Sequence, residues 1–299
     1  MAARSKSVEI GMCSGIPLHG LREVTFTDGR RMTFREYGRP HGHPILALHG
    51  TPGSGLKFEA AHHTAQQLGL RLICPDRWGY GGSDRPIATS LAAFAADLRA
   101  VADHLSIDRF GLLGVSGGGP FAAAAAAQLR DRVTRLALVC PVGPISGDAQ
   151  DVGLFHRFSF LVLPRVPGAV WLVFSAFRLI VIASPRGALR IATLRACRAD
   201  RLLMRRRDLS GGLGACFRDG LRAGVTGPVI DMALFSRRWP ELAVSCPTKL
   251  WLGQRDRNVP LAAARRLGAV LRADCEVLDE EGHYWVAADS ERVLEWFCS

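Results

Sequence analysis

A serine between glycines is the feature of this sequence that is best suited to covalent chemistry. Gly114-Val115-Ser116-Gly117-Gly118 matches the pattern G-x-S-x-G, follows the apolar run Phe110–Val115 and precedes the helix-forming run Phe121–Gln128. In a sharp turn from strand to helix, small neighbours relieve backbone crowding while the serine hydroxyl is lifted out of the sheet. The positive end of the following helix also points at that hydroxyl. The motif therefore predicts that Ser116 is a nucleophile.

Short apolar runs alternate with longer segments of helical character, and this alternation supplies the elements that must position Ser116. The predicted strands are Ile45–Leu48, Leu70–Cys74, Phe110–Val115, Val133–Cys140, Lys249–Leu252 and Cys275–Leu278, preceded by a hairpin over 21–37 with its turn at Asp28-Gly29. Strands that are apolar on both faces and separated by helices are typical of a parallel sheet covered on both sides. The predicted fold class is therefore α/β, with a mostly parallel central sheet and helices on both faces.

The alternation breaks between residues 143 and 239, where arginine-rich helical segments replace the strands. We predict a core made of residues 1–142 and 240–299, with residues 143–239 inserted as a helical cap. Within the cap, Val166–Ala183 is almost entirely apolar and approaches the roughly 20 residues of a membrane span. Pro164, Pro167 and Arg178 disfavour a span. A cap helix over an apolar pocket is the favoured interpretation, and contact with a membrane surface stays open.

Two further motifs accompany the serine turn. His49-Gly-Thr-Pro-Gly-Ser54 follows a predicted strand, and Asp76-Arg-Trp-Gly-Tyr-Gly-Gly-Ser83 has the form D-x-x-G-x-G-x-S. With the G-x-S-x-G turn, these motifs resemble those of the α/β-hydrolase superfamily, and the resemblance covers nearly all of the chain outside the cap. It implies an α/β-hydrolase fold and a serine hydrolase that needs no cofactor and no metal.

The resemblance also implies a base and an acid for Ser116. His283, in Glu281-Gly-His-Tyr-Trp285, follows the last predicted strand, where the superfamily carries its catalytic histidine. Asp256 lies in Gly253-Gln-Arg-Asp-Arg-Asn-Val-Pro260, which is similar to the superfamily's G-x-x-D-x-x-V-P pattern, and would orient His283. Asp148, or another acid after the strand that ends at Cys140, is the alternative. The remaining histidines considered, His49, His62, His63 and His104, are interpreted as loop or packing residues.

An oxyanion hole is implied by the same resemblance. Its backbone N–H groups would come from Gly117, which follows the nucleophile, and from Thr51, which follows the His-Gly pair. Pro52 has no N–H to donate, which leaves Thr51 as the better candidate. Asp76 and Arg77 are interpreted as turn residues that brace the loops at the sheet.

The charge of the chain is uneven. The formal net charge is +11, and the segment from Ile145 to Ile230 contains thirteen arginines, no lysine and five aspartates. No nucleic-acid motif accompanies the arginines, and aromatic residues are not interleaved with them for base stacking, so no nucleic-acid partner is expected. A solvated face is the first interpretation of this basic cap, and attraction of an acidic substrate or of anionic lipid is the alternative.

The eight cysteines form neither a CxxC pair nor a Cys/His cluster in the sequence, and the N-terminus has no signal-peptide pattern. We therefore expect reduced thiols, no zinc site and a cytoplasmic location, with peripheral membrane contact as the variant.

The predicted reaction is two-step acyl transfer on an ester, thioester or amide, and the expected partner is a small-molecule, apolar acyl substrate. Because the nucleophile is serine, the chain departs from the aspartate of epoxide hydrolases and haloalkane dehalogenases, whereas carbon–carbon bond hydrolysis and perhydrolysis stay open by resemblance. A non-catalytic ligand-binding relative and a membrane-associated lipid hydrolase are the alternatives. The residues do not identify the substrate or the oligomeric state.

Overall fold

An eight-stranded sheet forms the centre of the molecule. The computed structural model describes residues 20–145 and 151–299. The strands are β1 (Arg22–Thr25), β2 (Arg31–Gly38), β3 (His43–Leu48), β4 (Leu70–Pro75), β5 (Phe110–Val115), β6 (Val133–Val139), β7 (Thr248–Gly253) and β8 (Asp274–Leu278). They lie in the order β1-β2-β4-β3-β5-β6-β7-β8. Strand β2 is antiparallel to both of its neighbours, β1 and β4. The six strands from β4 to β8 in this order are parallel to one another. This confirms the predicted mostly parallel α/β sheet.

Helices cover both faces of the sheet. Those outside the cap are α1 (His62–Gln67), α2 (Leu91–His104), α3 (Gly119–Gln128), α10 (Leu261–Leu271) and α11 (Glu291–Glu295). The sheet separates two apolar cores, and alternate residues of each strand contribute to one core or the other because successive side chains in a strand point to opposite faces. Leu46 and Leu48 pack with α2, α3 and α10, whereas Ile45 and Ala47 pack with α1 and α11.

Helices also make up the regular structure that is described between β6 and β7. They are α4 (Leu154–Arg157), α5 (Ala169–Ala183), α6 (Pro185–Ala192), α7 (Arg198–Leu203), α8 (Arg207–Gly220) and α9 (Thr226–Phe235), with short helical turns at Phe158–Val162 and Leu163–Arg165. From here on, the cap denotes residues 151–239 of the predicted insertion 143–239. Its own core joins Val181 of α5 to Leu189 of α6 and Phe217 of α8. In the described part of the chain between β6 and β7 there is no strand.

The apolar run Val166–Ala183 does not form one continuous helix. Gly168 adopts a left-handed φ of 77°, which glycine tolerates without strain, and α5 begins after it. No single helix of the described residues has both the length and the apolar character of a membrane span. Leu154–Arg165 and Ala169–Ala183 meet that criterion only as a pair, and the pair is bent by 111°.

Candidate active site

The turn after β5 presents Ser116 at the carboxyl edge of the sheet. Ser116 has a φ of 54°, an unfavourable backbone conformation for a residue with a side chain. Its neighbours must be small for the chain to turn into α3: a Cβ on Gly118 would lie 2.3 Å from the Leu48 carbonyl oxygen. The G-x-S-x-G sequence thus permits a turn that lifts the serine hydroxyl above the sheet.

Three side chains that the sequence placed far apart form a hydrogen-bonded series. The Ser116 hydroxyl lies 3.0 Å from Nε2 of His283, and Nδ1 of His283 lies 2.7 Å from Oδ2 of Asp256. They follow β5, β8 and β7 respectively, so all three lie at the carboxyl edge of the sheet. With Nδ1–H donating to Asp256, Nε2 is free to accept the serine proton. Asp148, the alternative acid, lies outside the described residues.

Asp256 is held as an anion by its surroundings. Its other oxygen, Oδ1, accepts the N–H groups of Asn258 at 2.8 Å and Val259 at 3.0 Å. Burial raises the pKa of Asp256, but the electrostatic interaction and hydrogen bond with His283, together with these two backbone hydrogen bonds, outweigh burial and lower the pKa below its ordinary value. An ionised and oriented carboxylate can therefore stabilise a positive charge on His283.

Thr51 and Gly117 meet beside the serine. A Cβ built on Gly117 would lie 3.2 Å from the backbone nitrogen of Thr51, so the two residues are in close contact. Among the described residues, the Thr51 N–H makes no backbone hydrogen bond. The two residues predicted to supply the oxyanion N–H groups are therefore neighbours in the structure.

A buried ion pair fixes the loop that carries Thr51. Both oxygens of Asp231, in α9, accept hydrogen bonds from the guanidinium of Arg77, at 2.5 and 2.8 Å. The hydroxyls of Thr51 and Tyr80 also donate to Asp231. Arg77 further donates to the backbone oxygens of His49 and Gly50. The cap helix α9 is thereby tied to the loop after β3.

His49 belongs to this network and not to the series around Ser116. The Arg77 N–H donates to Nε2 of His49 at 3.0 Å, and Nδ1 lies 2.8 Å from the Gly50 carbonyl oxygen. Burial and the Arg77 charge lower the pKa of His49 well below its ordinary value. His49 is therefore a neutral, fully buried brace of the loop in which the sequence placed it.

A second carboxylate from the cap supports the loop of His283. Asp200, in α7, is fully buried, and its two oxygens accept the N–H groups of His283 and Tyr284, each at 2.9 Å. These hydrogen bonds join residues more than eighty positions apart, so no local sequence pattern predicts them. Asp200 was missed by the sequence analysis. Asp231 was missed too, although a charge inside the apolar stretch Thr226–Phe235 was a signal for a buried ion pair.

A cavity of about 520 Å³ opens beside Ser116 and His283. Its lining is mainly apolar and comes largely from the cap, including Phe160, Phe174, Phe177, Phe217 and Phe235. Three cations, Lys57, Arg195 and Arg257, also line it, and among the described lining residues none is acidic. The cavity suits an apolar group bound next to the serine.

One group of potential metal-ligating side chains lies at the site. Folding brings Cys140, Asp256 and His283 together, with one ligand atom of each within 4.8 Å of the others, although the sequence pattern indicated no metal site. Burial and the charge of Asp256 raise the pKa of the Cys140 thiol well above its ordinary value. Nδ1 of His283 already donates to Asp256. A metal here would need the Cys140 thiolate and a His283 tautomer that no longer donates from Nδ1 to Asp256, so the geometry favours the hydrogen-bonded arrangement.

Comparisons with known proteins agree with this architecture. A family model described as alpha/beta hydrolase fold matches residues 43–172. The chain is 32% identical over 135 residues to a non-heme chloroperoxidase from Streptomyces lividans, covering 44% of this chain and 49% of that protein. It is 35% identical over 107 residues to 2-hydroxy-6-oxo-2,4-heptadienoate hydrolase from Pseudomonas putida, covering 34% and 38%. The matches thus span less than half of these relatives.

Solved structures resemble the chain over almost its whole length. An esterase from Thermogutta terrifontis has a TM-score of 0.64 at 23% identity, covering 93% of this chain and 97% of that one. Epoxide hydrolase A from Mycobacterium thermoresistibile has a TM-score of 0.70 at 19% identity, covering 93% and 96%. At such identities the likeness shows the fold. With the family match over residues 43–172 and the sheet order, it shows that the chain has the α/β-hydrolase fold.

Proposed function

We propose that the protein is a serine hydrolase that cleaves an ester, thioester or amide of an apolar acyl group through an acyl-enzyme. The observation that carries the proposal is the series Ser116–His283–Asp256, with hydrogen bonds of 3.0 and 2.7 Å, beside a largely apolar cavity. A strained serine that already donates to an imidazole is the arrangement expected of an activated nucleophile.

The first half of the reaction forms the acyl-enzyme. Nε2 of His283 takes the proton of Ser116 as the oxygen attacks the carbonyl carbon, and Asp256 stabilises the imidazolium. The N–H groups of Thr51 and Gly117 receive the oxyanion. His283 then protonates the leaving group, and the carbonyl re-forms as the bond to that group breaks.

The second half releases the acyl group. His283 takes a proton from water, the resulting hydroxide attacks the acyl carbon, and the same two N–H groups receive the second oxyanion. The proton returns to Ser116 as the acid leaves. Serine at this position, in place of a carboxylate, supports acyl transfer over epoxide or haloalkane chemistry.

Labelling with a fluorophosphonate tests the proposal. We expect wild-type protein to carry the adduct on Ser116, located by mass spectrometry, and Ser116→Ala to carry none. Ser245→Ala, which alters an exposed serine, is the matched control and should label like the wild type. Rates on p-nitrophenyl esters of increasing chain length would then measure how the cavity accepts acyl groups.

A folded wild-type protein that gives no adduct would contradict the proposal. That result would favour the second candidate, a ligand-binding protein that uses the cavity without turnover.

A further inference from the structure

The cap has an unusual exposed surface. Among the described residues, large apolar side chains that are exposed lie outside the cap only at Leu21, Ile87 and Val270. Those in the cap are Leu154, Phe155, Phe158, Val162, Val166, Trp171, Leu172, Val173, Leu179, Ile182, Ile191, Leu194 and Leu202. We call this set the apolar cap surface. Clustered exposure of this extent marks an interaction site, since water is a poor partner for it.

Helix α5 shows why the surface needs a partner. One side of α5 covers the cavity through Phe174 and Phe177. The other side is also apolar and faces outward: Leu172 is 64% exposed and Leu179 is 65% exposed. The helix has one charged residue, Arg178, which donates to backbone oxygens at the end of α8. A helix that is apolar on all sides is normally buried, so contact of the outer side of α5 with water is unfavourable.

The exposed charge of the segment that forms this surface has one sign. Residues 154–205 contain nine arginines and a single acid, Asp200, which is fully buried. On α6, Arg186 and Arg190 are exposed, and within the described part of the chain neither forms an ion pair with a carboxylate. The surface is therefore both apolar and cationic.

Two occupants fit an apolar surface, and the charge separates them. A second copy of the chain in a two-fold interface would set the same arginines against each other. A membrane with anionic lipids offers apolar tails to α5 and negative headgroups to the arginines. Charge complementarity thus favours lipid.

The cavity opens onto the same surface. Phe155, Val173 and Ile191 are each more than 40% exposed, and each also lines the cavity beside Ser116. Arg195 is exposed at this mouth and stacks on the Phe155 ring at 3.9 Å. Whatever covers the apolar cap surface therefore lies against the mouth of the cavity.

We propose that the apolar cap surface docks on an anionic lipid surface, with α5 lying in the headgroup region and the cavity mouth turned toward the acyl chains. Resting on the proposed serine hydrolase function, this names the substrate class: acyl compounds dissolved in the membrane, which reach Ser116 from the lipid side.

Vesicle binding by the Ser116→Ala protein tests the docking without turnover. We expect this protein to sediment with phosphatidylcholine/phosphatidylglycerol vesicles. Its affinity for vesicles of phosphatidylcholine alone should be lower by about tenfold or more. The triple change Leu172→Gln, Leu179→Gln and Ile182→Gln, or the pair Arg186→Gln and Arg190→Gln, should reduce binding by a similar factor. The matched controls alter exposed residues elsewhere, Ile87→Gln with Val270→Gln and Arg99→Gln with Arg109→Gln, and should bind like the parent.

A second measurement reports depth. Brominated phosphatidylcholine in the vesicles should quench the fluorescence of Trp171, which is 58% exposed, and Trp171→Phe should lose that part of the quenching.

Three results would contradict one or both proposals. No sedimentation with anionic vesicles at about 0.1 M salt would overturn the docking, even if the fluorophosphonate labels Ser116. A dimer in sedimentation equilibrium that the triple change dissociates, with no vesicle binding, would also overturn it. Vesicle binding without labelling of Ser116 in the wild type would overturn the hydrolase and its substrate class while leaving the docking in place.

Discussion

At the scale of single residues, the proposed reactivity rests on three side chains that are joined by hydrogen bonds. Ser116 donates to His283, and His283 donates to an Asp256 whose pKa is lowered. The N–H groups of Asn258 and Val259 hold the carboxylate from the other side. Removing the negative charge while keeping the shape of Asp256 therefore separates the electrostatic role of this residue from its packing.

Asp256→Asn should leave the protein folded but lower kcat by about 10³- to 10⁴-fold, because the amide fixes His283 in the wrong tautomer and cannot stabilise its cation. Ester hydrolysis by the purified variant measures the effect, with the thermal unfolding midpoint as the control for folding. A kcat within tenfold of the wild type would show that Asp256 is not the orienting acid.

Sequence alone was sufficient to name residues that the fold brings together, and insufficient for those that support them. Each residue of the hydrogen-bonded series follows a strand and lies in a local motif: Ser116, Asp256 and His283. The parallel order of the strands therefore brings the three side chains to the same edge of the sheet. Asp200 has no such motif: its partners are the backbone N–H groups of a loop that is distant in sequence. Such a contact follows from how α7 packs, which composition and periodicity do not specify.

At the scale of elements, two cap helices each bring a carboxylate to a loop of the site. Helix α7 supplies Asp200 to the loop of His283, and α9 supplies Asp231 to the loop of Thr51 through Arg77. A buried acceptor that receives two backbone donors leaves both unsatisfied when it is removed. The cap is thus part of the support of the site as well as the roof of its cavity.

Asp200→Asn should lower kcat by about tenfold to a hundredfold with a smaller change in KM, because the amide NH2 opposes one backbone N–H and shifts His283. We expect a loss of about 1 to 3 kcal/mol in the free energy of unfolding. Asp208→Asn, on an exposed acid of the cap, is the matched control. A variant that loses stability but labels at the wild-type rate would mean that Asp200 only stabilises the fold.

At the scale of the whole molecule, buried ionisable groups make stability depend on pH. Asp76 is fully buried next to the sheet, where it accepts hydrogen bonds from the Gly55 N–H and the Thr33 hydroxyl. Burial, partly offset by these bonds, raises its pKa to about 6. Between pH values of about 4 and 6 the folded protein therefore holds a proton that the unfolded chain has released.

The free energy of unfolding should accordingly fall as the pH rises through that window, and Asp76→Asn should lack this part of the fall. The free energy of unfolding of the wild type minus that of the variant should therefore fall by about 2 kcal/mol between pH 4 and pH 6. Urea unfolding of both proteins at several pH values measures it. Parallel pH profiles would show that Asp76 is ionised throughout the window.

The attachment of Asp200 and Asp231 to the cap restricts how this scaffold can be recombined. A chimera that received a foreign segment between β6 and β7 would acquire a new cavity, but Arg77 would lose its buried counter-ion and the His283 loop its two acceptor oxygens. An unpaired buried charge costs about 3 to 5 kcal/mol. The shape of the cavity and the integrity of the loops at the candidate site are therefore inherited together, so new specificities are more accessible by substitution within the cap than by exchanging it.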